Sequence, residues 1–333
     1  MSEITTQNEL VSIVVPVYNV EETIRDCIES LLNLDYENKE IVVINDGSID
    51  DTRKILSEYP ITIYNCISRG GAPKARNIGV KLAKGSIIAF TDGDVKVAKD
   101  WLKQLIKHFS SPTVGGVGGI VETWNSDKSI PRCIGYDVQK RMSQYNKSVE
   151  SLATWNCAYR KNLIEKVGKF REYLVVADDI DLSYRIRKLG YEIIFVPKAK
   201  VWHKHRTSLW AFFKQQFWYG VSRTFLYYIH PEGIKGESYV NLHLILQPFF
   251  YVGLVIFTIL SLFINHLFPV AMSYFVVLII SNVFSGISTA LRVKDKKALC
   301  LIVLNLIRGI AWTFGMIYGT NRWHIQIKKD FSY

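Results

Sequence analysis

Two kinds of apolar patterning divide the chain. Between residues 10 and 200, short β-branched runs alternate with stretches of helical period. Val11–Tyr18, Glu40–Asp46, Ile61–Tyr64, Ser86–Thr91 and Tyr191–Val196 predict strands. About Val20–Leu32, Asp50–Glu58 and Ala72–Lys84 predict helices, and the pattern after Asp178 predicts another. Strand and helix in alternation predict an α/β domain with a largely parallel sheet. In such sheets ligands bind beyond the carboxyl ends of the strands. Pro16-Val17-Tyr18, Asn45-Asp46-Gly47-Ser48 and Asp92-Gly93-Asp94 all fall at those ends.

Beyond residue 237 the apolar runs lengthen. Ser238–Leu291 is 54 residues without Asp, Glu, Lys or Arg, enough for two membrane spans of about 20 residues each. Asn265-His266 and Pro269 mark the turn, so the spans are expected at about 242–264 and 268–290. A third apolar stretch follows at 298–319, whose one charge is Arg308 and whose Gly309, Gly315 and Gly319 suit close helix packing. Crossing is the favoured reading for it; the alternative is a re-entrant or interfacial segment with Arg308 reaching the headgroups. Ser208–Ile229 is rich in aromatic rings with Lys214 and Arg223 among them, which predicts a helix in the membrane surface.

Charge changes the reading of partners. The formal net charge is +11, but residues 241–333 hold eight Lys/Arg against two Asp/Glu. Over half the excess therefore sits in the most apolar quarter, which fits membrane flanks and not a nucleic-acid face. The five cysteines show no CxxC and no regular spacing, so reduced thiols in a cytosolic compartment are expected. Met1–Leu10 is polar, with Glu3 and Glu9, and carries no signal-peptide pattern.

Asp92-Gly93-Asp94 could hold a divalent cation that keeps places for phosphate oxygens, or be a solvated turn. Asp178, Asp179 and Asp181 suit a helix N-terminus, and one of them aimed into a cleft could be a general base. His203 is a plausible third metal ligand beside these acidic clusters.

Ser12–Asn19, Asn45–Ser48 with Asp50–Thr52, Gly71–Gly79, Asp92–Asp94, Asn156–Arg160 with Val167–Phe170, and Asp178–Leu182 occur in that order. Over about residues 10–230 the set resembles the inverting family 2 glycosyltransferases of the GT-A fold, a Rossmann-like nucleotide-diphospho-sugar transferase domain, here followed by transmembrane helices. The resemblance implies that Pro16, Tyr18 and Asn19 lie beside the nucleotide base and that Asp46 bonds its edge. It implies that Lys74 and Arg76 approach the nucleotide and that Asp92 contacts the ribose or the metal's water shell. Asp94 would ligate Mg²⁺ or Mn²⁺, with His203 near the metal, and Asp179 would be the catalytic base. The first member of the family's acidic pair is usually Glu; here it is Asp178.

The expected activity is transfer of one sugar from a UDP- or GDP-linked donor to a lipid-linked or glycan acceptor at a membrane. The Q-x-x-R-W signature of processive polysaccharide synthases is replaced by Gln215-Gln-Phe-Trp-Tyr219, which disfavours a synthase. Intact Asp92, Asp94 and Asp179 disfavour a catalytically silent sugar-nucleotide-binding protein. The expected organisation is a catalytic domain over 1–206, an interfacial helix region over 207–237, a transmembrane region over 238–320 and a basic tail over 321–333. The catalytic domain is expected on the cytoplasmic face of the cell membrane in a multi-pass protein; no oligomeric state is implied.

Overall fold

The computed structural model describes residues 9–174, 176–235, 240 and 242–330, without the side chains of 235, 242, 243 and 324–330. It forms two compact units, Met1–Trp124 with Tyr145–Lys204, and Asn125–Gln144 with His205–Tyr333. The sequence suggested one contiguous domain to residue 206. Instead, twenty residues in its middle go with the second unit.

The first unit begins as the pattern predicts. Strand β1 (Val11–Val17) is wholly buried and pairs in parallel with β2 (Lys39–Asn45) and β4 (Ile87–Phe90). Strand β3 (Thr62–Asn65) extends the parallel run beside β2. Helix α1 (Ile24–Leu32) covers this half through Ile24, Cys27, Ile28 and Leu31, the spacing of one helical face. It starts later than Val20 because the Val20 carbonyl first closes a turn on Thr23 and Ile24. Helix α2 (Thr52–Leu56) is a short turn, and α3 (Ala72–Leu82) lies so close to the sheet that a Cβ on Gly79 would meet Val14 at 2.2 Å.

Past β4 the sheet becomes mixed. Strand β5 (Val95–Val97), helix α4 (Trp101–Ile106) and strand β6 (Val114–Thr123) come first, and β7 (Cys157–Arg160) then runs antiparallel between β4 and β6. Helices α6 (Lys161–Lys166) and α7 (Asp178–Lys188) precede β8 (Glu192–His203), and the strand order is β3-β2-β1-β4-β7-β6-β8-β5. Strand β8 is twice as long as its apolar pattern suggests. Pro197 ends that pattern, but the register slips between Gly119 and Ile120, and the strand resumes to His203.

The second unit contains α5 (Ser129–Met142), α8 (Leu209–Ile229), α9 (Leu242–Ser261), α10 (Phe268–Val293) and α11 (Leu301–Asp330). Leu244–Ser261, Asn265–Val293 and Lys296–Trp323 are long and apolar enough to cross a membrane, with mean hydropathies of 2.1, 2.1 and 1.8. The expected tail is not separate, since α11 continues through Asp330; residues 331–333 and 236–239 lie outside the described residues.

A helix, α8, forms where the sequence places one over 208–229, and its side chains divide between exposed and buried. Ser208 caps α8 by accepting from the Ala211 N–H, and Trp210 and Tyr228 are exposed. Phe212, Phe225 and Tyr227, however, are buried. Helix α8 packs along α11 at backbone distance: a Cβ on Gly315 would meet the Phe217 carbonyl at 2.2 Å, and one on Gly220 the Trp312 carbonyl at 2.7 Å. Arg308 does not reach headgroups. It is buried, ion-paired to Asp137 of α5 at 2.7 Å and bonded to Asn305 at 2.9 Å. A pair to a carboxylate on another element explains a charge inside an apolar helix.

The cysteine expectation is corrected. Cys133 and Cys300, 167 residues apart, form a disulfide between α5 and the turn before α11. Such a separation leaves no spacing signature to read. Cys27, Cys66 and Cys157 are free thiols.

Candidate active site

The site grows from the carboxyl ends of β1, β2 and β4. At the end of β1 the chain turns at Asn19, which adopts φ 52°. Asn19 is tied to the loop after β2: its N–H donates to Ser48 Oγ at 3.0 Å and its Oδ1 accepts from Ile49 N–H at 3.0 Å. Asn45 supports that loop by accepting from Ser48 N–H. Gly47, at φ 76°, lies where a Cβ would meet the backbone of Arg69 at 2.9 Å. Pro16 is buried in β1, and the Tyr18 ring carries the Arg69 guanidinium 4.1 Å from its centroid. Sequence reasoning missed Arg69, which stands directly before the Gly70-Gly71 turn.

Asp46 is buried, and its two carboxylate oxygens accept from Gly70 N–H at 2.8 Å and Gly71 N–H at 2.7 Å. This clamp sets the entry to α3, whose exposed Lys74 lies across Gly70 and whose Arg76 is turned inward. Asn77 exchanges two 2.9 Å bonds with the Phe170 backbone, joining the Gly71–Gly79 and Val167–Phe170 motifs.

Arg76 is the hub. Its Nη1 donates to Asp178 at 2.8 Å and its Nη2 to Asp92 at 3.3 Å, and the residue is 6% exposed. Burial disfavours its charge, yet Asp178, Asp92 and Asp179 hold its pKa above the ordinary value. The carboxylates shift too. Burial pushes Asp178 up to about 7, with Arg76 pulling back and Asp179 adding to the rise. Asp179 and Asp92 are also raised, first by burial, with Arg76 opposing.

Asp179 is the second residue of α7, where its Oδ1 accepts from Ile180 N–H at 2.8 Å and its Oδ2 from Thr154 N–H at 3.4 Å. The third acid of the cluster does something else. Asp181 is fully buried between Arg171 at 3.0 Å and Arg185 at 2.7 Å, an architectural role. The Asn156–Arg160 motif is architectural as well: Asn156 Nδ2 donates to the Ile120 and Ala199 carbonyls, and its Oδ1 accepts from Trp101 Nε1.

Asp94 and His203 meet through the pairing of β5 with β8, with Asp94 Oδ1 3.3 Å from His203 Nε2. The Trp155 ring lies 4.9 Å from the imidazole. Among the described residues no group of three His, Cys, Asp or Glu side chains could hold a metal by itself. A carboxylate and an imidazole nitrogen in contact do suit a divalent ion that completes its coordination with ligand oxygens.

Three parallel strands present polar loops at their carboxyl ends, beside a partly buried acid–guanidinium cluster, the place where α/β sheets gather ligands. Comparison with known proteins makes this specific. Residues 12–168 match the family described as glycosyl transferase family 2, so the chain carries a domain of that family. Glycosyltransferase AglE of Haloferax volcanii is 30% identical over 202 residues, covering 57% of this chain and 66% of AglE. The poly-beta-1,6-N-acetyl-D-glucosamine synthase of Staphylococcus epidermidis is 26% identical over 226 residues, covering 63% of this chain and 53% of that protein. The chain thus spans between about half and two thirds of these curated relatives. In structure, the mannosyltransferase PcManGT from Pyrobaculum calidifontis, solved with GDP-Man and Mn²⁺, superposes with TM-score 0.62 at 18% identity over 93% of this chain and 88% of that one. The fold of the first unit is GT-A, and the chain adds three helices apolar enough to span a membrane.

Proposed function

We propose that this protein is a membrane-bound inverting glycosyltransferase that moves a single sugar from a nucleotide-diphosphate sugar to a lipid-linked acceptor. The observation that carries the reading is the convergence of Asp92, Arg76, Asp178 and Asp179 on one partly buried ion cluster beside the carboxyl ends of the strands. The family match and the sugar nucleotide held by PcManGT support it.

In this reading Tyr18 and Arg69 flank the base, while Asn19 and the Asp46 clamp fix the loops that enclose it. Lys74, exposed on the first turn of α3, approaches the diphosphate. Asp92, held by Arg76, faces the ribose side. Asp94 and His203 would hold Mg²⁺ or Mn²⁺, which supplies charge neutralisation at the departing diphosphate.

Asp179 takes the proton of an acceptor hydroxyl, and its raised pKa brings its basicity nearer to neutral pH. Attack on the face opposite the leaving group inverts the anomeric carbon in one displacement. A phosphate acceptor arrives ionised, and Asp179 then orients it. The Gln215–Tyr219 stretch, which lacks Arg-Trp, supports single transfer over processive synthesis. Because sugar nucleotides are cytosolic, the first unit belongs on the cytoplasmic face of a multi-pass membrane protein.

The test is transfer of radiolabelled sugar from UDP- and GDP-linked donors into lipid extract by the purified protein with Mn²⁺. Label in the organic phase supports the reading. Donor turnover to free sugar alone, with every lipid acceptor tried, overturns the lipid-linked acceptor.

A further inference from the structure

Within the first unit, residues 154–156 lead into β7 and are anchored at every step. The Thr154 N–H donates to Asp179 Oδ2 at 3.4 Å, and the Trp155 carbonyl accepts from Thr91 Oγ1 at 3.0 Å, one residue before Asp92. Asn156 donates to the Ile120 and Ala199 carbonyls and accepts from Trp101 Nε1. Thr154 and Asn156 are buried, at 4% and 2% exposure. Trp155 between them is only half-buried, and its ring lies 4.9 Å from the His203 imidazole. An indole that serves the core is closed off, as that of Trp101 is at 0% exposure. Trp155 instead keeps an open surface on a backbone fixed from both sides.

The neighbours of Trp155 fix what that surface faces. On one side is the Asp94–His203 pair, where the departing diphosphate would be held. On the other, one residue back, is the amide that holds the Asp179 carboxylate. Attack on the face opposite the leaving group puts the anomeric carbon between those two positions. The part of the substrates that fills this interval is the transferred sugar ring. An indole offers a broad apolar face with negative π density. That face suits the C–H groups on one side of a neutral pyranose and repels a carboxylate.

We propose that Trp155 is the platform for the donor sugar: a neutral pyranose packs its C–H face on the indole, between the Asp94–His203 pair and Asp179. This role rests on the transferase function proposed above and gives that site a residue that selects the sugar.

Calorimetric titration of the full chain in detergent micelles with Mn²⁺ tests this, using UDP, GDP, UDP-glucose, UDP-N-acetylglucosamine, UDP-glucuronate and GDP-mannose. At least one neutral donor should bind the unaltered protein more tightly than its own nucleotide does. Trp155→Leu should weaken that donor by about five- to tenfold, while the nucleotide alone changes by less than about twofold. Trp155→Phe keeps a smaller aromatic face and should recover most of the donor affinity. The bonds of 154–156 run through the main chain, Asn156 and Thr91, so the unfolding temperature should hold in both variants. One comparison needs no variant: UDP-glucuronate should bind the unaltered protein more weakly than UDP-glucose. Donor affinity indifferent to Trp155→Leu overturns the proposal. Equal losses for donor and nucleotide also overturn it, because they mark a merely structural side chain. A glucuronate donor bound as tightly as the neutral one overturns the neutral-sugar assignment. The two claims fail differently. Absence of UDP and GDP binding sinks the transferase reading and this role with it; intact nucleotide binding with a donor indifferent to Trp155 sinks the role alone.

Discussion

Arg76 donates to Asp178 at 2.8 Å across 102 residues of sequence, joining α3 to the first turn of α7. The same guanidinium reaches Asp92 at 3.3 Å, so one cation neutralises acids from two motifs. Arg76→Met leaves both carboxylates without it. Removing one partner of a buried pair costs about 3–5 kcal/mol. A lower unfolding temperature and loss of transfer are expected together, and Arg76→Lys should restore stability better than activity, because a point charge cannot serve two acids in fixed directions. Full activity in Arg76→Met would show that the hub is dispensable.

Asp94→Ala removes a carboxylate that faces His203 and no core volume. Transfer should be abolished with the unfolding temperature unchanged. Mn²⁺ binding in the presence of UDP or GDP, followed by electron paramagnetic resonance, should weaken in Asp94→Ala and in His203→Ala. Undiminished Mn²⁺ binding in both variants removes these residues from the metal.

Asp179→Asn keeps shape and loses basicity. With a hydroxyl acceptor, turnover should fall by about 10²–10⁴-fold, while nucleotide affinity survives. Collapse of nucleotide binding would move Asp179 to the donor site.

The raised carboxyls predict opposite pH trends for rate and stability. Asp179 works as a base only when ionised, so kcat/KM should fall as pH drops through its raised pKa, above the ordinary carboxylate range. Asp178 holds its proton more tightly folded than unfolded. Its contribution to stability is therefore full below the unfolded value of about 4 and is lost as pH rises through about 7. Asp178→Asn should flatten the dependence of unfolding temperature on pH across that window. An unchanged slope would mean that Asp178 is an ordinary carboxylate.

Topology can be read by labelling in intact cells. His266 lies in the exposed turn between α9 and α10, and Lys296 in the exposed turn before α11. With the first unit cytoplasmic, His266→Cys should react with an impermeant thiol reagent and Lys296→Cys should not. The reverse pattern inverts the protein in the membrane.

Much of the site could be read from the chain because its residues sit where strand patterns end. Tyr18, Asp46 and Asp92 needed only the position of an apolar run and the rule that ligands gather at carboxyl ends. What stayed hidden depends on pairing between distant segments. Helix-start patterning alone does not tell Asp178, Asp179 and Asp181 apart; the family resemblance singles out Asp179, and the partners Arg76, Thr154, Arg171 and Arg185 show what each acid touches. Helix α5 was missed altogether. Its buried Ile134, Val138 and Met142 are interrupted by Arg132, Asp137, Lys140 and Arg141, and Asp137 and Lys140 find partners in Arg308 and Ser285, 171 and 145 residues later.

The assignment of Asn125–Gln144 to the second unit has a practical side. The backbone passes from one unit to the other three times, after Trp124, after Gln144 and after Lys204. A soluble enzyme therefore cannot be obtained by stopping translation near residue 206. That product would keep α5 but lose α10 and α11, which pack against it, and it would have Cys133 without its disulfide partner. Excision of Asn125–Gln144 and rejoining of Trp124 to Tyr145 through a short Gly/Ser bridge is the cut that respects how the molecule is divided. Homologous catalytic domains that are expressed alone should tolerate that deletion and resist the simpler one.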